Sequence, residues 1–297
     1  MSPDLRRELA EAAQLLASAG VASPEHDAAT LLAWILDLPR SRLNTHPQLD
    51  DGAITAFRHA VRRRAQREPL QHITGSAAFR YLDLEVGDGV FTPRPETEVM
   101  AGVAIDELKR LLSSGVRSPL AVDLCTGSGA VAIAMATEVP AARVIGVEIS
   151  EDAHHFAVRN ATGSGVELRL GDIAEAVHDL TGQVHVVAAN PPYIPLTAYE
   201  SVQAEARDFD PPVALWSGDE GLDMIAVVAD VAARLLVAGG LVACEHADVQ
   251  GEVAPAVFAA TGTWTHVRDN DDLAGRPRFV TARRAARAAT AAGTMSS

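Results

Sequence analysis

The stretch "VDLCTGSGAVAIA", residues 122–134, decides the fold. An apolar run closes on Asp123, a glycine-rich turn follows, and small residues at once resume a helical pattern. Gly127, Gly129 and Ala132 match the G-x-G-x-x-G/A fingerprint, which marks a strand, a tight turn and a helix in succession. Such a turn lets a ligand approach the backbone, and the helix that follows presents free N–H groups to it. Glu148 closes the next apolar run, where a strand-terminal acid can accept hydrogen bonds from both hydroxyls of a ribose.

Outward from this loop, strands and helices alternate. "PLAVDLCT", "ARVIGVEIS", "VELRLGDI", "VHVVAAN" and "GLVACEHA" read as strands, and "FVTARR" as the last one. "GAVAIAMATEV", "EDAHHFAVRNA" and "GLDMIAVVADVAARLLV" read as the helices between them. The pattern predicts an α/β fold, Rossmann-like and doubly wound, with a sheet that is parallel at its centre. Upstream, residues 4–68 read as helices: Leu5, Leu9, Leu15 and Leu16 recur at helical spacing. Ser23 and Pro24 open a second helix that runs to about Leu38, and a third spans Asp51 to Arg67. The basic end of that third helix, Arg62 to Arg64, reads as a solvated C-terminus that suits the helix dipole. "YLDLEVGDGVF" alternates and is followed by Gly87-Asp88-Gly89, which predicts a short hairpin turning there. "FTPRPETEVMAGVAIDELKRLL" opens a helix after two prolines.

The expected domains are therefore 1–75, helical; 76–91, a β-hairpin linker; 92–284, the α/β core; and 285–297, a disordered tail of small residues. Residues 1–75 balance nine basic against nine acidic side chains, so the whole net charge of −14 falls in the larger C-terminal part. That bias argues against nucleic acid as the main partner, since a nucleic-acid enzyme needs basic groups to neutralise phosphates. No apolar stretch approaches the roughly 20 residues that span a bilayer, and the opening "MSPDLRRELAEA" lacks an apolar signal core. Two cysteines, Cys125 and Cys244, make neither a disulfide framework nor a metal site; a reducing, cytoplasmic compartment and no metal are expected.

The fingerprint fits a nicotinamide dinucleotide as well as S-adenosylmethionine. Asp123, ahead of Gly127, favours the second, because a carboxylate there can meet the ammonium of a methionine moiety, which the dinucleotide lacks. Gly171-Asp172 closes the third strand of the core, where an acid can accept from an adenine amino group. "NPPY", Asn190 to Tyr193, ends the fourth. Two prolines stop a strand and leave a stiff, polar corner. Beside a sulfonium methyl donor that corner suits a planar –NH2 group. The side-chain oxygen of Asn190 accepts one N–H, the carbonyl of Pro191 accepts the other, and Tyr193 stacks on the plane. Orientation then supplies most of the acceleration.

At these motifs the chain resembles the release-factor glutamine methyltransferases, from about residue 4 to 284. "EPLQHITG" (68–75), "FTPRPETE" (91–98), "DLCTGSG" (123–129), "NPPYIP" (190–195), "DPPVALWSGDEGLD" (210–223) and "EHADVQG" (245–251) carry the resemblance. It implies a Rossmann-like class I methyltransferase core behind a small N-terminal helical domain that recognises substrate, joined by a β-hairpin. It implies S-adenosylmethionine as cofactor, held by Asp123, Cys125, Thr126, Gly127, Ser128, Gly129, Glu148, Asp172, Ile173 and Asn190. Asn190, Pro191 and Tyr193 are the implied catalytic residues, with Pro192 beside them in the substrate site. The implied acceptor is the glutamine of the Gly-Gly-Gln motif of peptide chain release factors, and the enzyme is expected to act as a monomer. Cys125 stands where a glycine is common, Thr92 where an aliphatic residue is common, and Glu148 where aspartate is common. Some members carry tryptophan at the position of Ile173. A related branch modifies a glutamine of a ribosomal protein, and "NPPY" also serves enzymes that methylate exocyclic amines of nucleic acids. A donor-binding scaffold without catalysis is the remaining alternative, and the intact Asn190-Pro191-Pro192-Tyr193 speaks against it.

Overall fold

The computed structural model describes residues 3–45 and 49–286. The chain divides into two compact units. The first comprises Met1–Ala77, Glu85–Thr92 and Ser201–Pro211; the second comprises Ala78–Leu84, Pro93–Glu200 and Pro212–Ser297.

The first unit is helical: α1 (Pro3–Ser18), α2 (Pro24–Ile35), α3 (Asp51–Ala65) and α4 (Leu70–Thr74), the last not anticipated from sequence. Asp50 caps α3 by accepting the Ala53 N–H at 2.7 Å. Leu5, Leu16, Leu31, Leu32, Phe57 and Val61 fill its core, while Leu15, expected on the same face as Leu16, is exposed.

The basic end of α3 departs from expectation. Arg62 is exposed, but Arg64 is buried. Its Nε donates to Asp27 on α2 at 2.8 Å, and its Nη2 donates to Glu205 at 2.9 Å. Arg67 adds two bonds to the same Glu205, at 2.5 and 2.9 Å. A buried guanidinium must be paired, and the second carboxylate comes from the segment 201–211. The sequence reading placed that segment in the α/β core; it lies in the helical unit instead. It includes α8 (Ala204–Phe209).

The hairpin consists of β1 (Ser76–Phe79) and β2 (Leu82–Glu85), joined through Arg80-Tyr81. The turn thus falls before the alternating stretch and not at Gly87-Asp88-Gly89, which leads the chain out of the hairpin. Arg80 takes the left-handed backbone conformation that the tight connection needs, with φ 53°.

The second unit is built on a sheet of β3 (Leu120–Leu124), β4 (Arg143–Glu148), β5 (Glu167–Leu170), β6 (Val184–Ala189), β7 (Leu236–Glu245), β8 (Trp264–Asp271) and β9 (Pro277–Arg284). The spatial order is β5-β4-β3-β6-β7-β9-β8. β3 to β7 are parallel, and β9 runs antiparallel to both β7 and β8. The helices α5 (Thr97–Ser113), α6 (Ala130–Glu138), α7 (Glu151–Asn160), α9 (Asp223–Leu235) and α10 (Val253–Ala259) complete it. Period-two burial shows the double winding. Leu120, Val122 and Leu124 pack into one core with α9 and α10, while Ala121 packs into the other with α5 and α6. β8 escaped the sequence reading because it is an edge strand with mostly polar, exposed residues. The tail expected to be disordered lies, from residue 287 on, outside the described residues. Among the described residues no helix is long and apolar enough to cross a membrane.

Candidate active site

Strand order reverses between β3 and β6, so the crevice at their carboxyl ends is the place where an open α/β sheet binds ligands. Leu124, Ala189 and Cys244 pair across β3, β6 and β7. The residues that follow them, Cys125, Asn190 and Glu245, therefore emerge as a row along that edge.

On the donor side, β3 delivers Asp123, which is buried. Its Oδ2 accepts from Thr126 Oγ1 at 2.5 Å and from the Ala132 N–H at 3.1 Å, tying the loop to the first turn of α6. Burial pushes the Asp123 carboxyl up to about 7; the two hydrogen bonds pull it down, and the nearby Glu148 charge adds to the rise. Glu148, at the end of β4, accepts the Gly127 N–H on Oε2 at 2.8 Å. Its Oε1 accepts the N–H groups of Ile149 and Ser150, both at 2.9 Å. Carboxylate oxygens have two lone pairs each, and three of the four are used, so Oε2 can accept one more hydrogen bond, such as from a ribose hydroxyl.

The glycines carry the shape of this cradle. Gly127 and Gly129 have φ 57° and 87°, the left-handed region that favours glycine. A Cβ on Gly129 would lie 2.9 Å from Ile133 Cδ1, whereas one on Gly127 would meet no protein atom within 4 Å and would project into open space. Cys125 also sits in the left-handed region, at φ 63°, which explains why glycine is common at its position. Ser128 is buried, and its carbonyl accepts from Asn160 Nδ2 at 2.9 Å. Gly146 on β4, which no motif signalled, leaves room for the loop: a Cβ there would sit 3.0 Å from Thr126 Oγ1. A glycine turn open at Gly127, flanked by the strand-end carboxylates Asp123 and Glu148, fits a cationic nucleoside such as S-adenosylmethionine.

Asp172 is exposed at the end of β5 and uses Oδ1 to accept the Ala174 N–H at 2.7 Å. Ile173, expected in the adenine wall, is packed into the core with Val177 and Leu180. The turn that Asp172 starts directs its next apolar residue inward. Ile149, 56% exposed and adjacent to Glu148, is an apolar side chain left open near this edge, as is Leu170 at the end of β5. The signal of Ile149 in the sequence is an isoleucine placed just after a strand-terminal acid.

On the acceptor side, Asn190 Nδ2 donates to Thr97 Oγ1 at 3.3 Å. That bond turns the amide so that Oδ1 is left as an acceptor. Thr97 begins α5 and belongs to the "PRPETE" block, which thereby acquires a role that sequence alone did not assign. Pro191 is buried, and Pro192 and Tyr193 are half-buried. The Tyr193 hydroxyl donates to Glu245 Oε1 at 3.0 Å, and its carbonyl accepts from Gln250 Nε2 at 3.1 Å. Burial pushes the Glu245 carboxyl up to about 7, against the pull of the Thr97 and Tyr193 hydroxyls and the Arg278 charge. Burial likewise holds the Tyr193 phenol well above its ordinary range. Among the described residues no cluster of histidine, cysteine or acid could hold a metal ion.

Sheet order, glycine cradle and strand-end acids define the class: this is an S-adenosylmethionine-dependent class I methyltransferase. Residues 9–75 match the PrmC N-terminal domain family, and residues 121–209 match a methyltransferase domain family. The chain is 52% identical over 281 residues to the release factor glutamine methyltransferase of Streptomyces coelicolor, covering 95% of this chain and 98% of that one. It is 44% identical to the protein of that name from Mycolicibacterium smegmatis, over 95% and 99% of the two chains. A third relative is the 4-amino-L-phenylalanine/4-methylamino-L-phenylalanine methyltransferase of Streptomyces pristinaespiralis, 42% identical over 89% of this chain and 90% of that one. The chain belongs to the release factor glutamine methyltransferase family.

Proposed function

We propose that this enzyme methylates the side-chain amide nitrogen of the glutamine in the Gly-Gly-Gln motif of a peptide chain release factor, with Asn190, Pro191 and Tyr193 as the acceptor site. The observation that carries the reading is the bond from Asn190 to Thr97, which commits the asparagine amide to one orientation. Bound S-adenosylmethionine supplies an electrophilic methyl group on a sulfonium. An amide nitrogen is a poor nucleophile because its lone pair is delocalised into the carbonyl. Asn190 Oδ1 and the Pro191 carbonyl each accept one N–H of the substrate amide, fixing its plane and raising electron density on nitrogen. Tyr193 packs on that plane, its ring held by the bond to Glu245. Alignment of the nitrogen with the methyl group then lowers the barrier: the N–C bond would form as the S–C bond breaks, S-adenosylhomocysteine leaving and one amide proton passing to solvent, without a strong general base.

In the same reading Gly127, Gly129, Glu148, Asp123 and Asp172 hold the donor, and the helical unit recognises the body of the protein substrate. The enzyme works as a monomer in the cytoplasm. The third relative acts, by its name, on a small aromatic amine, whose –NH2 poses the same geometric task. The deciding experiment incubates the protein with methyl-labelled S-adenosylmethionine and, separately, a release factor, a ribosomal protein fraction, 4-amino-L-phenylalanine and RNA. Mass spectrometry then locates the label. Label on the Gly-Gly-Gln glutamine is expected; label on another acceptor alone rejects the release-factor reading.

A further inference from the structure

We propose that Glu245 and Gln250 are positioning residues for methyl transfer, gripping Tyr193 at its phenol and at its main-chain carbonyl so that the Asn190-Pro191 acceptor pair keeps one geometry. The inference rests on the reading of "NPPY" as the acceptor site and adds a supporting shell to it.

Tyr193 is the last residue of that corner, and two side chains of one short block hold it. Glu245 ends β7, is 1% exposed, and accepts the phenol hydroxyl on Oε1 at 3.0 Å. Gln250, 3% exposed, donates from Nε2 to the Tyr193 carbonyl and to the Glu220 carbonyl, both at 3.1 Å. Gln250 is itself oriented, because its Oε1 accepts the Ala247 N–H at 2.9 Å. The backbone of the 220s is thereby pressed against the corner. Gly221, at φ 75°, would place a Cβ 2.2 Å from the Tyr193 carbonyl oxygen, so only glycine fits there. Glu245 lies beside the hydroxyl of Thr97, which also receives the Asn190 amide, and in the field of Arg278 and Glu96. One end of the corner, Tyr193, is thus fastened to the end of β7 and the turn after it, and the other, Asn190, to Thr97 at the start of α5. Neither Glu245 nor Gln250 supplies the acceptor carbonyls; each acts through Tyr193. A displacement of about 1 Å in a positioned group can cost on the order of 100-fold in rate.

The test uses the full-length enzyme with an intact release factor and measures kcat, KM, donor affinity by calorimetry and thermal unfolding. Glu245→Leu removes the acceptor of the phenol, and Gln250→Leu removes the donor to the carbonyl. Each is expected to lower kcat by about 10-fold or more, with donor affinity within about twofold of wild type. Glu245→Gln keeps an acceptor oxygen and should recover most of the loss. In a Tyr193→Phe background, which lacks the hydroxyl, Glu245→Leu should lower kcat by less than about twofold further, because the interaction is already gone. Equal losses with and without the hydroxyl, or wild-type kcat in both leucine variants, overturn the proposal. If Glu245→Leu does not unfold cooperatively, Tyr193→Phe, which keeps the ring and removes the hydroxyl, decides for the phenol: a loss of about 10-fold in kcat supports the grip, and wild-type kcat rejects it. Failure of the underlying reading would look different, as full turnover in Asn190→Ala.

Discussion

Glu148 Oε2 accepts the Gly127 N–H at 2.8 Å, so the acid at the end of β4 fastens the glycine loop that follows β3. One side chain thus shapes the glycine loop at the end of β3. Its second oxygen takes two further N–H groups, from Ile149 and Ser150. The order of the loop therefore rests on a single carboxylate.

Glu148→Ala should weaken S-adenosylmethionine binding by about one to two decades, the worth of a charge-assisted hydrogen bond of roughly 1.5–3 kcal/mol. Calorimetry checks it. An unchanged dissociation constant would remove Glu148 from the donor site.

Asn190→Ala should leave the fold and donor binding intact and lower kcat by about 100-fold or more, because the lost oxygen acts on the acceptor alone. Turnover assays paired with donor calorimetry separate the two effects. Near-normal turnover would reduce "NPPY" to a strand terminator.

Cys125 occupies a left-handed position at φ 63°. A side chain there costs about 1–2 kcal/mol, which outweighs the roughly 0.5–1 kcal/mol of extra freedom glycine has in the unfolded chain. Cys125→Gly should therefore raise the urea midpoint slightly, and Cys125→Val, branched at Cβ, should lower it. The opposite order would show that packing of the thiol outweighs the backbone term.

Asp123 is held up at about 7 by burial, above its ordinary 3.8. An acid whose folded pKa is raised binds more protons in the folded than in the unfolded state between those values. Its contribution to stability therefore falls as pH rises from about 4 to 7. An ammonium brought beside it favours the charged form, so donor binding near pH 6.5 should release a fraction of a proton. Calorimetry in buffers of different ionisation enthalpy measures that release, and Asp123→Asn should abolish it.

Arg64 is buried between Asp27 and Glu205. Arg64→Ala leaves carboxylates without their partner and should cost about 3–5 kcal/mol. Arg7, whose pair with Asp4 is exposed on both sides, should cost at most about 1 kcal/mol when truncated. Urea unfolding followed by intrinsic fluorescence compares the two.

That last pair shows where sequence runs out. Arg64 and Glu205 are 141 residues apart, and no local pattern links a basic helix end to an acid beyond "NPPY". Read locally, "RRRAQR" is a solvated terminus. Folded, Arg64 and Arg67 hold a segment of the distant core sequence inside the helical unit, so a cut at residue 75 would strip Glu205 of both partners.

Legible in the residues alone are the order of the parallel strands and of most helices between them, the glycine turn, the strand-end acids and the proline-stopped corner at Asn190. Those are set by short-range physics: alternation on a pleated sheet, the left-handed freedom of glycine, and the arrest of a strand by proline. Tertiary structure alone decided what surrounds them. It turned Ile173 into the core and left Ile149 open, placed the hairpin turn at Arg80-Tyr81, and brought Thr97, Glu245 and Gln250 around Asn190 and Tyr193. The contacts of Thr97, Glu245 and Gln250 join segments far apart in the chain, fixed by which strands become neighbours in the sheet. Residue spacing carries no record of that choice.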